Sequence, residues 1–172
     1  MASIDYAQIP EFYHKYIKLV NEDALESALQ KHQQMLVNTL QNIEPAKWDF
    51  RYAPGKWSVK EVVQHIIDAE RIFCYRALTF ARGDQNELPG FDENLYAENS
   101  NAEKRSNLDL IEELKVVQRS SLLLFSSFSE SQLKAKGIAN GKPIYVEGIG
   151  YIIIGHALHH RKILIEKYGA GQ

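Results

Sequence analysis

Residues 54–82, PGKWSVKEVVQHIIDAERIFCYRALTFAR, combine a sharp helix start with a histidine on an apolar helix face. Ser58 can accept a hydrogen bond from the free N–H groups of the first turn, and Glu61 three residues later completes a capping box. At 100° per residue a wide apolar face follows, made of Val59, Val62, Ile66, Ala69, Phe73, Ala77 and Phe80. His65 lies on the edge of this face, so the pattern places its imidazole in or along a core.

A core histidine needs a partner for each ring nitrogen, because an unpaired buried polar group costs about 1–3 kcal/mol. Considered alone, His65 is better explained by an ordinary hydrogen bond in the core, or by partial exposure at the helix edge, than by a bound ion. The carboxyl-terminal part of the chain changes that balance.

Residues 155–164, GHALHHRKIL, carry two histidines on one face of a second helix. His156 and His160 lie within about 40° of each other on a helical wheel, whereas His159 joins the polar side. A spacing of four places two imidazoles one turn apart, where both can bind one ion. With His65 on a neighbouring helix, three histidines can converge, and we predict a metal site.

Three imidazole ligands leave at least one coordination position open, which is typical of catalytic rather than structural sites. Such coordination can lower the pKa of a bound water to about 7. Glu61 and Asp68, one turn on either side of His65, are candidates to orient its ring, although a solvated helix edge explains both better. Arg76 either binds an anionic group of a substrate or pairs with a neighbouring acid.

Four long amphipathic segments without a strand pattern between them predict an all-α fold, an antiparallel four-helix bundle. Their expected bounds are about 23–43, 58–82, 107–128 and 147–168. The aromatic segment 10–20 predicts a short extra N-terminal helix that acts as a lid or brace. Residues 83–105 are rich in Gly, Asn, Asp and Pro, and we expect a long connection without a periodic element.

The composition is that of an ordinary globular protein: 172 residues, 45% hydrophobic, with a net charge of −2. We expect a single domain over residues 1–172. The single cysteine, Cys74, allows no internal disulfide and suits the cytoplasm. Lys and Arg total 20 against 22 acids, with no basic run, so no nucleic-acid partner is expected. No apolar run approaches the length of about 20 residues that crosses a membrane.

A second apolar line on the last helix bears on self-association. Ile154, Leu158 and Ile165 lie opposite the histidines. A helix that is apolar on two faces is either central or at an interface, and on this basis we predict a homodimer.

Two motifs also resemble a known family. The sequence PGKWSVKE at 54–61 followed by His65, together with GHxxHH at 155–160, is similar to the DinB-like/YfiT superfamily of metal-binding bundles. The resemblance implies up-down-down-up helix order, frequent homodimers and a divalent metal ion such as zinc or nickel. Carried over to this chain, the ligands are His65, His156 and His160, with His159 outside the coordination sphere.

The same resemblance implies a metal-dependent enzyme with a small-molecule substrate. Members of the superfamily resemble thiol S-transferases that use a low-molecular-weight thiol, or metal-dependent hydrolases. The catalytic residues are not identified by the resemblance. The alternative is a non-catalytic metal-binding stress or interaction protein, in which the three histidines stabilise the bundle or sense the metal.

Overall fold

The computed structural model describes residues 4–21 and 24–170. Within these ranges the chain is mostly helical, with one short β-hairpin before the last helix. The elements are α1 (Glu11–Ile17), α2 (Leu25–Gln41), α3 (Val59–Ala81), α4 (Glu93–Asn99), α5 (Asn107–Ser126), α6 (Glu130–Leu133), β1 (Lys136–Ala139), β2 (Lys142–Tyr145) and α7 (Val146–Tyr168). The four long helices α2, α3, α5 and α7 form the bundle.

Contacts between the long helices show their relative directions. Helices α3 and α5 are parallel, because two hydrogen bonds join them in the same order along the chain. Arg105, just before α5, donates to Gln64, and Cys74 donates to Ser121 further along both helices. Tyr168 at the end of α7 donates to the Trp57 carbonyl just before α3, so these two helices are antiparallel. Helices α2 and α3 are diagonal, since each packs on both α5 and α7. The bundle has the expected up-down-down-up order, which requires the long connection between the parallel helices α3 and α5.

The predicted bundle helices are confirmed, with shifts of one or two residues at their ends. The expected first position of α2, Asp23, lies outside the described residues. Helix α5 is capped by Ser106, whose side chain accepts from Asp109 N–H, and it ends at 126 rather than 128. Gly169 ends α7 in the left-handed conformation (φ 68°), which glycine adopts at little steric cost.

Two expectations about the connections were wrong. Residues 93–99 form the short helix α4, because Asp92 caps its first N–H groups. Residues 144–146 predict one brief extended stretch before α7, whereas the structure has a β-hairpin in this segment. Its turn, Asn140-Gly141, has positive φ at both positions (53° and 69°), as a type I′ turn requires.

The hydrophobic core has two apolar halves, separated by a layer of buried polar side chains. One half is built around the first turns of α2 and the second half of α3, and the other around the last turns of α2 and the first half of α3. Between them lie His32, His65, Glu70, Gln118, Ser121, His156 and His160, all less than 10% exposed. We call these seven residues the polar layer. The polar sequence neighbours of His32 predict a surface position, but the structure places this histidine inside the bundle.

Helix α7 is the central element, in contact with α1, α2 and α3. Ile154 is 2% exposed, so the chain itself covers that part of the second apolar line on α7. No helix in the described part of the chain is long and apolar enough to cross a membrane.

Candidate metal centre

The start of α3 is anchored in the way that the sequence predicts. Ser58 Oγ accepts from the Glu61 N–H at 3.2 Å, and the Glu61 carboxylate accepts from the Ser58 N–H at 2.6 Å. This capping box leaves few ways for the first turns to shift. His65 follows two turns later, 9% exposed, with its ring centroid 4.8 Å from that of Trp57.

On α7, Gly155 permits a close approach of α1 beside the histidines. A Cβ atom at this position would lie 2.2 Å from the Tyr16 carbonyl oxygen, well inside van der Waals contact. With glycine there, the Tyr16 ring packs edge to face on two histidines. Its centroid lies 5.7 Å from that of His156 and 5.1 Å from that of His159. Helix α1 therefore braces α7, as its aromatic sequence suggested.

The three predicted histidines converge. His156 Nε2 lies 3.0 Å from His65 Nε2 and 3.1 Å from His160 Nε2. The rings meet edge to face, with centroids 4.5–4.9 Å apart. His159 is not part of this group, which brings together nitrogens of α3 and α7 alone.

Hydrogen bonds alone satisfy this cluster poorly. A neutral imidazole carries one N–H and one lone pair, and here His156 Nε2 faces two other Nε2 atoms. If both neighbours donate, two hydrogens share the one lone pair of His156 Nε2. If His156 Nε2 carries the hydrogen instead, either both neighbours compete for it or a second N–H faces it. His160 Nδ1 is in addition buried without a hydrogen-bond partner.

A metal ion fits the same arrangement. Two nitrogens each about 2.0–2.1 Å from one ion lie about 2.8–3.4 Å apart for bond angles of about 90–109°. The observed separations of 3.0 and 3.1 Å fall in that range. Three inward-facing Nε2 atoms are therefore a suitable donor set for a divalent transition metal.

The electrostatics keep the cluster in the form that binds metal. Burial lowers the pKa of His65 to about 4, opposed in part by Glu93. Burial and the neighbouring histidines lower the pKa of both His156 and His160 well below 6.5. Since all three rings are neutral at pH 7, their lone pairs are available to a cation without release of protons.

The acids that flank His65 have other partners. Both oxygens of Glu61 accept from Arg51, and one also accepts from the Ser58 N–H. Asp68 accepts from the Gln64 side chain at 2.9 Å. Neither carboxylate is placed against the His65 ring by these contacts.

Arg76 and Cys74 lie away from the cluster. Arg76 is 3% exposed and donates to the Pro89 carbonyl at 2.8 Å, so it holds the long connection against α3. It follows His65 by eleven residues, about 16 Å along the helix axis. Cys74 donates to Ser121 Oγ at 3.1 Å, and burial raises its pKa to about 12. A thiol with that pKa is a poor nucleophile.

A cleft of about 240 Å³ opens beside the cluster, with His160 in its lining. Its walls are mainly aromatic and apolar, and Lys56 and Asn94 add polar side chains beside His160. Tyr52 packs edge-on to Tyr168, with centroids 5.1 Å apart. The volume is just below the range of about 300–1,000 Å³ typical of drug-sized ligands, so the cleft suits a small molecule.

The sequence analysis missed the residues of this cleft that come from loops. Asn94 lies in the connection that was expected to be irregular, and its neighbour Glu93 acts electrostatically on both His65 and Tyr16. The only available signal was the acidic and aromatic content of residues 91–96, FDENLY. Periodicity cannot place such a loop in space.

Comparison with known proteins agrees with this geometry. The sequence profile of the DinB superfamily matches residues 28–164, most of the chain. The chain belongs to the DinB superfamily. The matched region contains all three clustered histidines and the four bundle helices apart from their outermost turns.

Two solved structures from Bacillus subtilis share the fold. YfiT, described as a probable metal-dependent hydrolase with an unusual four-helix bundle topology, superposes with a TM-score of 0.71 at 18% identity, over 84% of this chain and 86% of YfiT. The DinB-like protein YjoA superposes with a TM-score of 0.61 at 16% identity, over 84% and 89% of the two chains. No curated protein matches the sequence. At these identities the superpositions establish a common fold.

Proposed function

We propose that His65, His156 and His160 hold one divalent metal ion, zinc or nickel, at the edge of the cleft. The observation that carries the proposal is the convergence of three neutral imidazole nitrogens, two pairs of them 3.0 and 3.1 Å apart. Imidazole suits both metals. Tyr16 and Trp57 pack on the histidine rings and limit their rotation.

We further propose that the chain is a metal-dependent enzyme acting on a small molecule, as a hydrolase or as a thiol S-transferase. When bound, a divalent ion on three histidines supplies an electrophilic centre that activates water or a thiol at neutral pH. The chain's own residues would bind and orient the substrate: aromatic rings along the cleft wall, with Lys56 and Asn94 as polar contacts. The likeness to YfiT supports the hydrolase class.

The cleft favours an enzyme over a non-catalytic metal-binding protein. An ion that only stabilised the bundle would need no space beside it, whereas here a cleft of about 240 Å³ reaches His160.

We also propose a homodimer, since Leu158 and Ile165 remain at least partly exposed on α7. Light scattering of the purified protein tests this, and a monomer at high concentration would count against it.

Elemental analysis tests the metal site. Protein without a histidine tag is purified as the parent and as the His65→Ala, His160→Ala and His159→Ala variants. We expect about one ion per chain in the parent and in His159→Ala, and a loss of bound metal in the other two. His159→Ala is the matched control because it removes a histidine from the same helix but not from the cluster. Absence of metal from the parent, or its retention in His65→Ala and His160→Ala, would refute the proposal.

Enzyme activity is tested separately. The metal-loaded parent is screened for hydrolysis of ester and amide substrates and for transfer of small thiols to electrophiles. Activity that requires the ion and is lost in His160→Ala would support the enzyme. Full metal loading without activity in either screen would favour the binding protein.

A further inference from the structure

The proposed ion brings a charge that its ligands do not balance. A divalent ion on three neutral imidazoles leaves two positive charges in a site whose side chains are only 7–9% exposed. Charges in such surroundings are costly unless an opposite charge lies near. The site therefore favours a carboxylate close to the histidines.

The carboxylates of α3 near the cluster are already engaged. Glu61 pairs with Arg51, and Asp68 accepts from Gln64. Glu70 lies on the side of α3 that faces α5, where burial raises its pKa to about 7 and Ser121 is its hydrogen-bond partner. None of the three is available as a free negative charge for the ion.

Glu93 is available. It is exposed at the first position of α4, and it makes no ion pair or side-chain hydrogen bond with the residues that the structure describes. Its neighbour Asn94 lines the cleft together with His160. Glu93 also acts electrostatically on His65, a member of the cluster, and on Tyr16 of α1, whose ring packs on His156.

We propose that Glu93 is the counter-charge of the metal centre and a positioning residue of the site. It lies at the start of α4, in the connection between α3 and α5. It lies outside the group of nitrogens that could bind the ion directly. Its effect is therefore electrostatic. The negative charge strengthens binding of the cation and orients the group bound at the ion's open coordination position. This inference rests on the metal site proposed above.

The placement of Glu93 does not depend on α4 alone. Arg76 holds Pro89 at the near end of the connection, and Leu88 exchanges backbone hydrogen bonds of 2.9 Å with Ile138 and Asn140 of the hairpin. These contacts fix the segment that enters α4. The hairpin and the buried arginine thus serve the site indirectly, by setting where Glu93 and Asn94 lie.

The test compares Glu93→Gln with Glu98→Gln, an exposed glutamate of the same helix that serves as the matched control. Affinity for Zn²⁺ is measured by competition with a chromophoric chelator at low and high salt. Because Glu93 is exposed and exposed charges interact weakly, we expect a loss of about fivefold for Glu93→Gln and less than twofold for Glu98→Gln. Since exposed charges are screened by salt, the difference should shrink in about 1 M NaCl.

Melting of the metal-free proteins separates this role from a structural one. A negative charge in the first turn also favours the helix itself, so Glu93→Gln can weaken α4 slightly. An unchanged Zn²⁺ affinity would overturn the inference, as would a loss that salt does not reduce and that accompanies a lower melting temperature. If the parent binds Zn²⁺ but Glu93→Gln binds it equally well, only the role of Glu93 fails. If the parent binds no Zn²⁺, the metal site itself fails.

Discussion

Glu70 makes the stability of this protein depend on pH in a direction opposite to most acids. The side chain is 3% exposed on α3, one of its oxygens has no hydrogen-bond partner, and burial raises its pKa from 4.5 to about 7. In the unfolded chain the carboxyl loses its proton near pH 4.5. The stabilising contribution is therefore complete below pH 4.5 and is lost as the pH rises through 7.

The size of this effect follows from the pKa difference. The pKa of Glu70 differs by about 2.5 between the folded and unfolded protein, which corresponds to about 3 kcal/mol of stability. Glutamine has nearly the same shape and carries no charge at any pH. The Glu70→Gln variant should therefore gain about 3 kcal/mol relative to the parent between pH 4 and pH 8.

Urea denaturation in the presence of a chelator measures this difference. The free energy of unfolding is determined for the parent, Glu70→Gln and the control Glu98→Gln at several pH values. The histidines contribute a pH dependence of the opposite sign in all three proteins, because their lowered pKa values make protonation favour the unfolded state below about pH 6.5. It cancels when each variant is subtracted from the parent. A parent-minus-variant difference that stays constant from pH 4 to pH 8 would refute the reasoning.

Three further predictions follow from the packing and the charges. Gly155→Ala should push α1 away from α7, lowering the free energy of unfolding by about 1–3 kcal/mol in urea titrations; an unchanged value would mean that α1 is not held there. Because the pKa values of the three histidines are lowered, Zn²⁺ affinity measured by competition should change little between pH 8 and pH 6.5 on their account; a fall of more than tenfold over that range would show that the cluster is protonated. Cys74 should resist alkylation by iodoacetamide at pH 8 in the native protein and react in urea, as followed by mass spectrometry; rapid native reaction would place the thiol at the surface.

Much of the bundle could be predicted because its signals are local. The Ser58–Glu61 capping box, the apolar face of α3 and Gly169 after α7 each involve residues within a few positions of one another. The same holds for His156 and His160, whose spacing of one turn puts them on one face of α7. The spacing of the apolar positions also placed His65 at the edge of the core, where it is found.

The errors arose where the local signal was short or came from turns. The Asn140-Gly141 pair between two short extended stretches is a hairpin signal, but each strand has only four residues. Helix α4 is seven residues long and depends on the Asp92 cap more than on periodicity. His32 looked exposed because its sequence neighbours are polar, although it faces the polar layer across the bundle.

The sequence by itself determined the helices, their apolar faces and the three histidines, because backbone hydrogen bonding and helical periodicity act over a few residues. Tertiary structure decided that the three nitrogens meet, that Tyr16 packs over Gly155, and that the charge of Glu93 acts on His65. Tyr16 and Gly155, for example, are 139 positions apart in the sequence, and no fixed spacing relates the residues of these contacts. They follow from the direction in which each helix packs, and a single sequence carries no local pattern that encodes it.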